Sequence, residues 1–214
     1  MPAIGDFFLY MVVFLFSLSL HEAAHAWTAE RFGDSTARLL GRITLNPLPH
    51  IDPLGTLIFP AIGYFTGGVM FGWAKPVTWN PRNVKDRRMA DIWISAAGPI
   101  SNVLALVGFV ILYKLFGLYE SAGFNFLGSA VVPLFQMCLI GVQLNVILAV
   151  FNMLPIPPLD GSWILPHFLP RGLAQAYEQI RPYGFLLLLV CMSLGVFRVV
   201  LLPVLGVVHY MMRM

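Results

Sequence analysis

A His-Glu-x-x-His motif lies near the end of the first apolar run of the chain, DFFLYMVVFLFSLSLHEAAHAWTA, residues 6–29. The run is long enough for a transmembrane helix, and its residues before His21 span roughly 22 Å. The motif therefore lies inside a hydrocarbon core about 30 Å thick. An ionisable side chain at that depth costs on the order of 3 kcal/mol on insertion scales and usually marks a functional site. This segment predicts such a site within a membrane.

The composition of the whole chain also indicates a membrane protein. Of its 214 residues, 58% are hydrophobic and only 11% are charged, which leaves too few polar side chains to cover a soluble domain. We predict an all-α polytopic membrane protein with about 4–6 transmembrane helices. The net charge is only +3, which favours a topology signal over a nucleic-acid interface. Cys138 and Cys191 lie in apolar runs without metal or redox spacing and indicate buried thiols.

The apolar runs predict one membrane-embedded domain, residues 1–214. An insertion at about 40–80 separates the first two core helices, and its apolar part, 54–73, is broken by Pro60 and glycines. That part is a re-entrant loop, a small β-hairpin or a full span. The last run, 183–212, is one kinked helix or a tight hairpin. The predicted core helices cover about 6–30, 92–118 and 131–154.

Charged residues between the runs predict their orientation. Segments 31–53 and 74–91 are rich in lysine and arginine, whereas segment 119–130 contains Glu120 and no basic residue. By the positive-inside rule the first two segments are cytoplasmic and the third is external. The N-terminus is then external, and the cytoplasmic ends of the three core helices meet.

The motif HEAAH, residues 21–25, has the spacing of a zinc site. On a helix, His21 and His25 lie on one face and can offer two imidazole nitrogens to one ion. Glu22 lies beside them, where it can take a proton from a zinc-bound water. The alternative is a set of helix-surface residues without a metal, which the membrane context disfavours.

A catalytic zinc site normally has a third protein ligand. Thr28 and Arg31 occupy positions that exclude the extended HExxHxxGxxH pattern. Asp160 is the strongest candidate, because prolines before it forbid a regular helix in apolar surroundings. Its alternative role is the N-cap of the helix after it. The candidate third ligands are Glu30, Asp34, His50, Asp52 and Asp160.

The sequence allows two interpretations for His50 and Asp52 and predicts a structural role for Asn102. His50 and Asp52 either act at the metal, as a ligand in the absence of substrate or by orienting a ligating histidine, or stabilise their own loop between two prolines. Asn102, in AAGPISN, predicts a hydrogen bond between helices.

Four motifs together are similar to the site-2 protease family of intramembrane zinc metalloproteases. They are HEAAH (21–25), GWAKPV (72–77), AAGPISN (96–102) and FNMLPIPPLDG (151–161). The resemblance implies that His21, His25 and Asp160 bind one zinc ion per chain. It implies that Glu22 is the general base and that Asn152 steadies the substrate carbonyl or the oxyanion formed from it.

The resemblance implies hydrolysis of peptide bonds in or near transmembrane segments of substrate proteins. We expect an integral, multi-pass protein of a prokaryotic cell membrane, with its active site towards the cytoplasm. The expected partners are a transmembrane protein substrate and the lipid bilayer, without nucleic acid, and a homo-oligomer stays open. The alternatives are a zinc-binding transporter or sensor without hydrolysis, or an inactive scaffold, which the presence of Glu22 disfavours.

Overall fold

The computed structural model describes residues 4–67, 72–123 and 127–213. These residues form helices joined by turns and irregular segments, without a β-strand among them, so the predicted all-α fold is confirmed. The α-helices are α1 (Ile4–Arg31), α2 (Thr36–Leu39), α3 (Phe59–Thr66), α4 (Arg87–Ser121), α5 (Val131–Asn152), α6 (Gly161–Ile164), α7 (Arg171–Ile180), α8 (Gly184–Ser193) and α9 (Val196–Arg213).

Three helices of the described residues are long and apolar enough to cross a membrane. They are α1, α4 and α5, the last extended by the turn that begins at Gly128. The helical stretch Arg171–Ser193 and the helix after it pass the same test only as a pair, which is bent by 66°, so the spans number three or four. The chain is a multi-pass membrane protein.

The three long helices pack against one another and form the centre of the fold. Tyr10, Val13, Phe14 and Leu18 on α1 form a buried apolar cluster with Leu144 on α5. The other faces of these helices carry large exposed apolar side chains, which suits contact with lipid. Within a few residues, the helices match the predicted core helices, except that α4 begins earlier.

The insertion enters and leaves the helical core on one side. Asp52 caps a π-helical turn, Pro53–Ile58, whose chain continues into α3. The peptide N–H of Trp73 donates to the carbonyl of Gly55 at 3.1 Å, so the two ends of the insertion's apolar part lie side by side. This geometry corresponds to the re-entrant interpretation and not to a full span, and no β-hairpin forms in its described part. Residues 68–71 lie outside the described residues.

The last apolar run is broken near its middle. Gly195 separates α8 from α9 and has a positive φ of 72°, a conformation that glycine adopts without steric cost. The bend of 66° corresponds to the kinked helix among the two predicted alternatives, because a hairpin would reverse the chain.

Candidate metal centre

Three potential ligand atoms converge where α1 meets the loop after α5. Nε2 of His21 lies 3.0 Å from Nε2 of His25. Oδ2 of Asp160 lies 3.2 Å from the first nitrogen and 3.4 Å from the second. The three side chains therefore form a small triangle of ligand atoms, in which two residues come from one helical turn and the third from a position far along the chain.

The local sequence explains how Asp160 reaches this place. Helix α5 ends at Asn152, and the proline-rich loop after it turns back towards α1. Gly161 packs so closely against the Met153 carbonyl that a Cβ there would overlap with it. The carboxylate of Asp160 makes no capping hydrogen bond to α6, so the N-cap interpretation is wrong. Its side chain points to the two imidazoles instead.

Hydrogen bonds fix the orientation of both imidazole rings. Nδ1 of His21 lies 2.6 Å from Oδ1 of Asn102, and Nδ1 of His25 lies 2.6 Å from the carbonyl oxygen of Ile94. An oxygen that only accepts requires an N–H at each Nδ1. The neutral rings therefore carry their lone pairs on Nε2, and these lone pairs face each other and the carboxylate of Asp160.

Such an arrangement fits a zinc ion. Ligand atoms about 2.0–2.2 Å from a tetrahedral zinc lie roughly 3.3 Å apart, which agrees with the three separations in the triangle. Oδ2 of Asp160 is buried without a hydrogen-bond partner among the described residues, so a cation is needed to balance it. Gly98 on α4 lines the same space, where a Cβ would overlap with the rings of His21 and His25. The donor set, two imidazoles and one carboxylate, is one that zinc uses in catalytic sites.

Glu22 lies beside the triangle without belonging to it. Its carboxylate, together with His25 and Asp160, lines a cavity of about 420 Å³. Oε2 of Glu22 accepts a hydrogen bond of 3.0 Å from the peptide N–H of Val77. Val77 belongs to an extended segment, residues 72–80, that forms part of the cavity wall. The predicted base therefore faces a space large enough for a peptide.

The four other candidate ligands lie outside the triangle. Glu30 pairs with Arg38 on the surface. Asp52 accepts hydrogen bonds from Leu54 and Gly55 as a helix cap, which is the loop-stabilising role. Nε2 of His50 lies 3.0 Å from the carbonyl of Thr44. The contacts of Glu30 and Asp52 explain these two residues without a metal, whereas Nδ1 of His50 is buried without a hydrogen-bond partner among the described residues.

Asp34, the remaining candidate, has a structural role at the end of α1. Its buried carboxylate accepts hydrogen bonds from Thr36, from the peptide N–H of Asn80 and from the side chain of Asn83. Burial raises the pKa of the Asp34 carboxyl, but these hydrogen bonds outweigh burial and hold its pKa below the usual range. The residue therefore joins the extended segment to α1 as an anion.

Asn152 lies at the last position of α5, outside the triangle. Its side-chain amide donates to the carbonyl of Leu148 at 3.0 Å, one turn earlier in the same helix. It is not among the residues that line the cavity of Glu22. Its role at the substrate stays a prediction.

Two groups around the site were not predicted from the sequence as parts of it. Asn102 makes the predicted hydrogen bond between helices, to Asn145, but its contact with His21 is new. Arg42, predicted only as a topology charge, is buried and donates to the carbonyls of Pro49, Lys75 and Pro76. An arginine in a loop does not indicate a structural role from the sequence alone, because its burial is known only from the structure.

The profile of peptidase family M50 matches residues 9–194, which include His21, His25 and Asp160. The chain belongs to peptidase family M50. The resemblance to the site-2 proteases is thereby confirmed, and the chain is a member of a zinc metalloprotease family.

Named relatives of this M50 protein cover most of its length. It is 40% identical over 199 residues to "Putative zinc metalloprotease YwhC" of Bacillus subtilis. The matched residues are 92% of this chain and 86% of that protein. It is 34% identical over 192 residues to "Putative zinc metalloprotease Rip2" of Mycolicibacterium smegmatis. The matched residues are 87% of this chain and 67% of that protein. No solved structure matches the chain.

Proposed function

We propose that this protein is an intramembrane zinc metalloprotease that hydrolyses peptide bonds in or near transmembrane segments of membrane proteins. One observation carries the proposal: two imidazoles on a helix apolar enough to span a membrane converge beside Glu22 with a carboxylate from the loop after another such helix. A soluble metalloprotease does not need such helices, and a structural metal site does not need the free carboxylate of a base.

His21, His25 and Asp160 would hold one zinc ion per chain. When bound, zinc supplies Lewis acidity, which polarises a carbonyl and lowers the pKa of water to about 7. Glu22 accepts the proton from the attacking water and delivers it to the nitrogen of the leaving amine. The Val77 N–H orients this carboxylate through one lone pair of Oε2, and the remaining lone pairs of the carboxylate are available for the proton.

Asn152 would donate to the carbonyl oxygen of the substrate. Its amide has two hydrogens, and the bond to Leu148 uses one of them. The other is available to an oxygen that gains negative charge during the attack. The extended segment that carries Val77 gives a peptide an edge to follow across the cavity.

The proposed location is the cell membrane of a prokaryote, with the site towards the cytoplasm. Basic residues lie next to the ends of α1 and α4 that carry the metal centre; among them are Arg31, Lys85 and Arg88. The proposed substrate is a membrane protein whose transmembrane segment unwinds to expose a peptide bond.

The test compares Glu22→Gln, Asp160→Ala and the wild type in lipid vesicles. The probe is a set of reconstituted single-pass segments, with products read by mass spectrometry and zinc by elemental analysis. We expect one zinc and cleavage for the wild type, zinc without cleavage for Glu22→Gln, and neither for Asp160→Ala. General-base catalysis typically contributes 10²–10⁴-fold, so the loss in Glu22→Gln lies in that range.

Glu30→Gln is the matched control, because this carboxylate is on the same helix but pairs with Arg38 away from the cavity. It is expected to retain both zinc and cleavage. Full cleavage by Glu22→Gln would refute the assignment of the base. Zinc transport into vesicles by the wild type and by Glu22→Gln, without cleavage by either, would replace the proposal with a transporter.

A further inference from the structure

We infer that Asn145 is a positioning residue of the metal centre, which sets the tautomer of His21 through the side-chain amide of Asn102. Asn145 does not contact the triangle of ligand atoms. It lies on α5, Asn102 lies on α4 and His21 lies on α1, so the connection crosses all three core helices. The inference rests on the proposed zinc site and assigns a role to two residues outside it.

The connection begins at a backbone carbonyl, which can only accept. Nδ2 of Asn145 lies 2.8 Å from the carbonyl oxygen of Gly141 in the same helix and 2.9 Å from Oγ of Ser17. The carbonyl requires a donor, so this side of the amide is the NH₂ group. Oδ1 of Asn145 consequently faces Asn102.

The second step passes this direction to Asn102. Its Nδ2 lies 2.8 Å from Oδ1 of Asn145 and 3.3 Å from the backbone carbonyl of Ser17. Both partners are acceptors, so both hydrogens of the amide are used there. If the Asn102 amide were reversed, its oxygen would lie against two other oxygens with no hydrogen between them, in a buried place where that repulsion is costly.

The third step decides the tautomer. With its NH₂ group fixed, Asn102 presents Oδ1 to Nδ1 of His21 at 2.6 Å. His21 must donate from Nδ1, which leaves the lone pair on Nε2, inside the triangle. The other tautomer would place an N–H there and would prevent His21 from binding a cation.

Burial makes the connection obligatory. The side chains of Ser17, Asn102 and Asn145 are all fully buried between the helices. No bulk water reaches them to replace a lost partner, so each amide keeps the direction that its neighbours impose. Polar groups between membrane helices also serve as packing contacts, so an experiment must separate positioning from packing.

The main variant is Asn145→Leu in the full-length protein, which keeps the side-chain size and removes both the donor and the acceptor. Without Oδ1 of Asn145, only the longer contact of 3.3 Å with the carbonyl of Ser17 still opposes reversal of the Asn102 amide, so we expect the reversed amide to become populated. Zinc affinity, measured by competition with a chelator, is expected to fall about 10–100-fold, as for other partners of metal-binding histidines. The ¹⁵N NMR spectrum of the neutral, metal-free His21 ring is expected to show loss of the Nδ1–H form.

Two further variants separate positioning from packing. Gln143→Leu replaces an exposed polar residue on the same helix and is expected to leave zinc affinity and the tautomer unchanged. Asn102→Leu removes the amide through which Asn145 would act on His21. We therefore expect the addition of Asn145→Leu to this variant to change zinc affinity less than twofold.

An unchanged His21 tautomer in Asn145→Leu overturns the inference, even if zinc affinity falls, because packing alone would then explain the loss. A further large loss of affinity on adding Asn145→Leu to Asn102→Leu overturns it as well. If Asn145→Leu does not fold, Asn145→Ser is read in the same way, since a hydroxyl that can donate or accept does not fix the amide. A wild type without zinc affinity would contradict the proposed function, whereas the tautomer of the metal-free protein would still test this inference.

Discussion

The metal centre is held from two sides that use different chemistry. On one side, the helix side, neutral groups on the three core helices hold the imidazoles. They belong to Ser17, Gly98, Asn102 and Asn145. On the other, the loop side, the extended segment 72–80 lies against Glu22, and charged side chains hold this segment and the turn after it. Charge is expensive between transmembrane helices, so amides do there what arginine and aspartate do in the loops.

Two buried charges hold the loop side at its two ends. Arg42 donates to the carbonyls of Lys75 and Pro76, and Asp34 accepts from Asn80 and Asn83. Between these contacts, the N–H of Val77 reaches Glu22. The helix side therefore orients the two imidazoles, and the loop side orients the proposed base. Variants on the two sides are expected to fail differently.

The largest effect is expected on the helix side, at Gly98. A Cβ at this position would overlap with both imidazoles, so Gly98→Ala is expected to abolish zinc binding and cleavage together. Elemental analysis of the purified protein measures the first and the vesicle assay measures the second. Gly108→Ala is the matched control on the same helix, because a Cβ there meets nothing within 4 Å. Normal zinc content in Gly98→Ala would show that the helix side tolerates displacement of its rings.

A smaller effect is expected on the loop side, at Arg42. Arg42→Met keeps an unbranched apolar stem but removes the guanidinium and leaves three backbone carbonyls without their donor, so the segment that positions Glu22 shifts. Because a displacement of about 1 Å can cost 10²-fold in rate, we expect kcat to fall by about that factor. The zinc content is expected to stay at one per chain.

Arg38→Met is the matched control for Arg42→Met, since this guanidinium is exposed and pairs with Glu30. It is expected to change kcat less than twofold. If Arg42→Met loses zinc as readily as cleavage, the two sides do not divide metal binding and base positioning between them.

The smallest effect is expected at Asp34 and depends on pH. The pKa of its carboxyl is lower in the folded protein than in the unfolded chain, so the unfolded chain binds the proton more tightly. Its contribution to stability is therefore complete above the unfolded pKa of about 3.9 and is lost as the pH falls through the lower, folded pKa. Asp34→Asn is expected to reduce the free energy of unfolding by about 1–3 kcal/mol at neutral pH.

The measurement for Asp34 is thermal unfolding in detergent between neutral pH and pH 3. The difference between the wild type and Asp34→Asn is expected to shrink at the acid end. Glu30→Gln, at an exposed ion pair, serves as the control and is expected to change stability by less than about 1 kcal/mol. A difference that grows on acidification would contradict the lowered pKa.

Much of the fold and half of the site follow from short stretches of sequence. The apolar runs predict α1, α4 and α5 because hydrophobic length alone decides whether a helix can span a bilayer. The placement of His21 and His25 on one face follows from helix periodicity, and Glu22 follows from its position beside them. Asp160 is predicted from its lone carboxylate in a proline-rich, apolar loop, but two roles fit that loop until the structure shows where the side chain points.

Other features depend on contacts between distant residues. Charge and length allow the chain to cross or to return over residues 54–73, and only contacts between its two ends, such as the hydrogen bonds of Trp73 with Gly55 and Thr56, show that it returns. The polarity of Asn102 predicts a partner on another helix without naming it. Arg42 reads as a topology charge until its burial is known.

The sequence by itself determined the membrane helices, the pair of histidines and the glutamate proposed as the base, because periodicity and hydrophobic length act over a few neighbouring residues. The tertiary structure alone decided which nitrogen of His21 faces the candidate metal site and which charges hold the loop. Those properties depend on the directions of hydrogen bonds between groups as far apart as Ser17 and Asn145, and such directions exist only after the helices have packed.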